Sequence, residues 1–177
     1  MKLVLIRHTS VEVPKGVCYG QSDVDVSKTF EEEAAKVKDN LRGYKFDAVY
    51  TSPLQRCKKL ATYCGHNEAT EDNRLKELNF GDWEMKSYSE IKDPRLLEWF
   101  TDYINTRAPG GESVIDQQNR LAEFVEDLKG RHPHDATICI FTHGGIVMNS
   151  LVKFGGRTFD EVYANIPEYG SITEIEI

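Results

Sequence analysis

The chain has 177 residues, 40% hydrophobic and 29% charged, with 22 basic against 29 acidic side chains for a net charge of −7. That length suits one domain burying about 70% of the surface its unfolded chain exposes. The acidic balance speaks against general nucleic-acid binding, which draws on clustered Lys and Arg, yet allows a locally positive pocket for a small phosphorylated metabolite.

Leu3–Ile6 is an uninterrupted aliphatic run, as expected of a strand covered on both faces. Residues 11–25, with Pro14 and two glycines, read as loop. From Thr29 to Leu41 the apolar residues Phe30, Ala34, Val37 and Leu41 recur at helical spacing, and Gly43 offers a stop. Phe46–Tyr50 reads as a second strand. Ser52-Pro53 is expected to open a helix, serine as N-cap and proline in the first turn, with Leu54, Cys57, Leu60 and Ala61 facing inward.

Glu68–Asp72 reads as a short edge strand and Leu75–Gly81 as extended chain. Tyr88–Ile104 looks helical in pieces, broken at Pro94, before a turn at Ala108–Gly111. A helix over Ser113–Leu128 turns Val114, Leu121, Phe124, Val125 and Leu128 inward. A strand at Thr137–Phe141, a helix at Ile146–Phe154 and an alternating strand at Ser171–Ile177 complete the chain. This alternation predicts an α/β protein, a three-layer α/β/α sandwich around a mostly parallel central sheet, in one domain without internal repeats.

Cys18, Cys57, Cys64 and Cys139 show no metal-ligand spacing, so free thiols in a reducing compartment are expected. No apolar run approaches the roughly 20 residues of a membrane helix. The apolar start at Leu3–Ile6 is too short for a signal peptide and has no cleavage site. A cytoplasmic protein with no membrane partner is the expectation.

In open α/β sheets ligands bind beyond the carboxyl ends of the strands. Arg7-His8, Thr51-Ser52 and Thr142-His143 all fall there. A neutral imidazole such as His8 can attack phosphorus, splitting one displacement into two steps. Arg7 and Arg56 supply permanent planar cations suited to a transferring phosphoryl group. His143 follows its strand as His8 follows its own, and Gly144-Gly145 leaves room for close backbone approach. A proton donor for the leaving oxygen is still needed. Glu77 lies in an apolar stretch where burial favours the proton-bearing form, with Asp82 and Glu84 as rivals. His66, His132 and His134 read as solvated, and the last two make a poor metal site.

Leu5-Ile6-Arg7-His8, Ser52-Pro53-Leu54-Gln55-Arg56, the Glu77 segment and Thr142-His143-Gly144 together resemble the histidine phosphatase superfamily, with its phosphoglycerate mutase-like fold. The likeness spans nearly the whole chain in the right order. It implies His8 as phosphoryl acceptor, Arg7, Arg56 and His143 as the phosphate pocket, and Glu77 as proton donor, with no metal and no cofactor. The loop Pro14–Asp23 is similar to that of alpha-ribazole phosphatases, which dephosphorylate the nucleotide-loop precursor of cobalamin. Gln21 in that loop and Gly144 join the substrate-binding candidates. Mutases of the family usually carry tyrosine where Phe80 stands, and longer insertions.

Two departures from the pattern are Thr9, in place of a common glycine, and Met85, where glycine usually follows Trp-Glu. Residues 81–109 correspond to the segment that caps the site in relatives. Its aromatic residues Trp83, Tyr88, Trp99, Phe100 and Tyr103 could stack on a flat heterocycle, but the cap's own packing is the preferred reading. The resemblance thus implies a metal-independent phosphomonoesterase acting through phosphohistidine, with alpha-ribazole 5'-phosphate as leading substrate. A broad sugar-phosphate phosphatase, a phosphoglycerate mutase, a phosphohistidine-protein phosphatase and a silent phosphate-binding module are the alternatives. A homodimer is the assembly that relatives suggest.

Overall fold

The computed structural model describes residues 1–177. Its centre is a five-stranded sheet built from β1 (Lys2–Arg7), β2 (Ala48–Thr51), β3 (Thr70–Glu71), β4 (Thr137–Thr142) and β5 (Ile172–Glu176), in the order β3-β2-β4-β1-β5. Every pairing is parallel except that of β5 with β1. Around it run α1 (Phe30–Asn40), α2 (Gln55–Tyr63), α3 (Arg95–Thr101), α4 (Val114–Arg131), α5 (Gly144–Lys153) and α6 (Phe159–Ala164).

The apolar strands bury both faces. Leu3, Leu5, Ile138 and Ile140 pack on one side against Leu121, Phe124, Val125 and Leu128 of α4 and Ile146 and Val147 of α5. Ile6, Cys139 and Phe141 point the other way, onto Ala34 and Val37 of α1 and Cys57, Leu60 and Ala61 of α2. Each such aliphatic side chain contributes about 1.5–3 kcal/mol on full burial. The result is the expected three-layer sandwich.

Several boundaries differ from expectation. The second strand begins at Ala48, because Asp47 is occupied with Thr137: its carboxylate accepts from the Thr137 N–H at 2.7 Å. Ser52-Pro53 lies outside α2, whose N-cap is Leu54 in extended conformation. Between Tyr88 and Ile104 only α3 is helical, and Pro94 stands at its start rather than breaking it. The segment 76–80 is bracketed by short 3-10 turns at Asn73–Leu75 and Gly81–Trp83. Helix α6 was not anticipated. All four cysteines are unpaired, and no helix is long and apolar enough to cross a membrane.

Candidate active site

Strand register builds the site. Arg7 on β1 stands opposite Thr142 on β4, so the two chains leave the sheet at the same edge and set His8 beside His143. Their ring centroids lie 5.1 Å apart, edge to face. His8 is 2% exposed and His143 fully buried. Burial pushes both imidazoles well below the ordinary histidine pKa, and the nearby Arg56 guanidinium pushes in the same direction. Both rings are therefore neutral at pH 7.

The Nδ1 of His8 lies 2.7 Å from the Thr9 carbonyl oxygen. A carbonyl can only accept, so Nδ1 carries the proton and Nε2 keeps its lone pair. The Nε2 of His143 lies 2.7 Å from the Ser52 hydroxyl. Ser52 arrives there because β2 pairs with β4, Thr51 opposite Phe141. The Cys57 sulfur is 3.5 Å from the same nitrogen, and burial raises its thiol pKa, keeping it protonated.

Arg56, in the first turn of α2, is fully buried. Its Nη1 donates to the Ser22 carbonyl at 2.9 Å and its Nη2 to the Gly20 carbonyl at 2.7 Å. Arg7 donates through Nη1 to the Pro167 carbonyl. Its guanidinium carbon lies 4.0 Å from the centroid of the Tyr169 ring. On Gly144 a Cβ would come within 3.2 Å of that carbon, so this glycine is what lets Arg7 lie close to the backbone. The Tyr19 ring lies 5.4 Å from the Arg56 guanidinium carbon, and the Tyr19 and Tyr169 hydroxyls meet at 3.0 Å. The Nε of both arginines is buried without a protein acceptor. One buried and one half-buried cation, each with an unpartnered Nε, beside a neutral nucleophile make a local anion site in a chain of net charge −7.

Glu77 is held by three N–H donors. Its Oε1 accepts from Leu78 N at 2.8 Å and Gln117 Nε2 at 3.0 Å, and its Oε2 accepts from Gly145 N at 3.1 Å. A Cβ on Gly145 would fall 2.2 Å from Oε1, so any larger residue there would displace the Glu77 carboxylate. The rival carboxylates are placed elsewhere. Asp82 is exposed, while Glu84 accepts from the backbone of Gln21, Ser22 and Phe80 and from the Ser22 hydroxyl. Gln21 donates its side-chain amide to the Glu77 carbonyl at 3.0 Å, bracing the Glu77 segment.

Arg7, Glu77 and Gly145 share a cavity of about 320 Å³. Most of its remaining lining is apolar or aromatic, including Tyr19, Phe80, Tyr88, Trp99, Met148 and Tyr163. Trp99 is the centre of a ring cluster, 5.8 Å from Phe80, 6.3 Å from Trp83, 5.4 Å from Phe100 and 6.2 Å from Tyr103. Packing within the cap thus accounts for Trp83, Phe100 and Tyr103. Tyr88 and Trp99 also wall the cavity, which corrects the expectation for those two.

Two histidines read as solvated are packed instead. His66 lies between Phe46 and Phe141, and burial lowers its pKa. His132 Nε2 is 2.9 Å from the Tyr50 hydroxyl. Gln117 and Tyr169 are site residues that the sequence reading left out, while Ser52 and Gly145, placed at the strand ends there, gain their partners His143 and Glu77. Gln117 carried a signal, because it falls on the inward face of α4 between Val114 and Leu121, where a buried polar group needs partners. Tyr169 carried none.

A neutral imidazole flanked by two arginines, a second imidazole and an oriented carboxylate equips a protein for phosphoryl transfer. Residues 3–177 match the family model of the histidine phosphatase superfamily, branch 1, and the chain belongs to that family. Phosphoserine phosphatase 1 of Hydrogenobacter thermophilus is 28% identical over 150 residues, 81% of this chain and 71% of that protein. The adenosylcobalamin/alpha-ribazole phosphatase of Escherichia coli is 23% identical over 184 residues, 100% of this chain and 90% of that protein. Among solved structures, Bacillus stearothermophilus YhfR aligns with a TM-score of 0.85 at 27% identity, covering 99% of this chain and 91% of that one.

Proposed function

We propose that the chain is a phosphomonoesterase working through a phosphohistidine at His8. One observation carries this reading: the Nδ1–H of His8 is fixed on the Thr9 carbonyl, which leaves Nε2 as a neutral nucleophile beside the buried Arg56 and the half-buried Arg7. In the first step Nε2 attacks phosphorus, the P–O bond to the alcohol breaks, and Glu77 gives its proton to the departing oxygen. In the second, Glu77 as carboxylate takes a proton from water. The water oxygen attacks phosphorus, the N–P bond breaks, and phosphate leaves. Arg7, Arg56 and His143 hold the phosphoryl oxygens through both steps, and Gly144 gives Arg7 the room to do so.

Alpha-ribazole 5'-phosphate leads among substrates. Support comes from the loop Pro14–Asp23 and from the name of the full-length Escherichia coli relative. Sugar phosphates come next. Phe80 in place of the mutase tyrosine sets phosphoglycerate mutase activity behind both.

His8→Ala should lower turnover of a generic aryl phosphate by at least about 1,000-fold while leaving the thermal unfolding transition cooperative. Turnover equal to that of the unaltered chain would remove the nucleophile assignment. A substrate panel containing alpha-ribazole 5'-phosphate ranks the finer reading, which a flat profile would sink.

A further inference from the structure

The alcohol that leaves phosphorus must occupy the space next to Arg7 and Glu77, and that space is built for an uncharged group. Arg7 is the only basic and Glu77 the only acidic side chain lining the cavity. In the reaction proposed above, Arg7 is already committed to the phosphoryl oxygens. Three cations on the neighbouring segments are engaged as well. Arg120 holds Glu112 and the Arg74 and Glu77 carbonyls, Arg107 holds Asp116, and Lys86 donates to the Asp82 carbonyl. A carboxylate on the leaving alcohol would enter a mostly apolar cavity whose one cation is already engaged, which is disfavoured.

The walls suit a ring instead. Trp99, packed in its ring cluster, contributes an aromatic wall to the cavity. Its indole N–H is buried and finds no acceptor within the protein, so Trp99 meets the cavity as an apolar ring. A volume of about 320 Å³ is at the small end of ligand pockets, room for a group of one or two rings.

We infer that this cavity is a leaving-group subsite that selects neutral, ring-bearing alcohols and rejects carboxylate-bearing ones, with Trp99 as the residue that reads the ring. The inference rests on the phosphomonoesterase reading and deepens it. It separates this chain from any relative whose substrate carries a carboxylate next to the ester.

The test is kcat/KM of the full chain for four alkyl esters of comparable intrinsic reactivity: benzyl phosphate, glycerol 1-phosphate, phosphoserine and 3-phosphoglycerate. Benzyl phosphate should rank first, with both carboxylate esters at least about 30-fold lower. Trp99→Ala should shrink the ratio of benzyl to glycerol phosphate by roughly tenfold, through KM rather than kcat. Trp99→Phe keeps a ring in the cluster and should shrink it less, which preserves the test if the alanine variant does not fold. Turnover of none of the four esters overturns both the phosphatase reading and the subsite. Turnover with carboxylate esters equal or preferred, or a ratio that neither Trp99 variant moves, overturns the subsite alone.

Discussion

At His8 and His143 the chemistry and the stability of the chain pull in opposite directions. Burial keeps both rings neutral, as a nucleophile requires, but the folded chain then refuses protons that the unfolded chain accepts. Both native pKa values are lowered, so below about pH 6.5 the unfolded state binds more protons and stability falls as pH drops. Each ring should take away up to about 1.4 kcal/mol per pH unit in that window. Urea unfolding at pH 7 and pH 5.5 checks this: His143→Asn should unfold with a shallower pH dependence than the unaltered chain, and identical slopes would contradict it. Met85 shows a different local conflict. It holds φ +60, in the left-handed region, where its N–H donates to the Cys18 carbonyl at 2.6 Å. It is 52% exposed and packs little. Met85→Gly should therefore stabilise the fold by about 1 kcal/mol and raise Tm by about 3 °C in a calorimetric scan. An unchanged or lowered Tm would show that the side chain earns its strained backbone.

At the scale of elements, the junction between β4 and α5 carries the most chemistry per residue. His143 caps the helix, Gly144 makes room for Arg7, and Gly145 donates to Glu77. Gly145→Ala would drive a methyl group into the Glu77 carboxylate. It should lower kcat by about 100-fold, toward the level of Glu77→Gln, with little change in unfolding midpoint. A kcat within twofold of the unaltered chain would mean that Glu77 is not held as described. Much of this was legible in the sequence, because continuous apolar runs fix β1 and β4 and their carboxyl ends then fix the histidines. Ser52 was misplaced because its partner is set by the register between β2 and β4, which no local pattern encodes. Helix α6 escaped for another reason: it has six residues and one buried side chain, Val162, so periodicity cannot declare it. Its capping box, Thr158 with Glu161, was the signal available. Tyr169 is brought over His8 and Arg7 by main-chain bonds, Gly170 N to the His8 carbonyl and Arg7 N to the Ser171 carbonyl. Those bonds follow from the pairing of β5 with β1 and leave no mark in the sequence.

For the whole molecule, an acidic chain holds an inward cluster of fixed positive charge. Arg56 is fully buried and the Nε of both arginines lacks a protein acceptor, so the fold gives up stability in a site that an anion would satisfy. The central claim is that His8 carries the phosphoryl group between substrate and water. With p-nitrophenyl phosphate the leaving group departs without needing a proton, so Glu77→Gln should pass the first step and stall at the second, where water must be activated. After a rapid alkaline quench, that variant should hold close to one acid-labile, base-stable phosphate per chain, mapping by mass spectrometry to His8. Release of p-nitrophenol with no phosphate on the protein, or phosphate at a residue other than His8, would contradict the account.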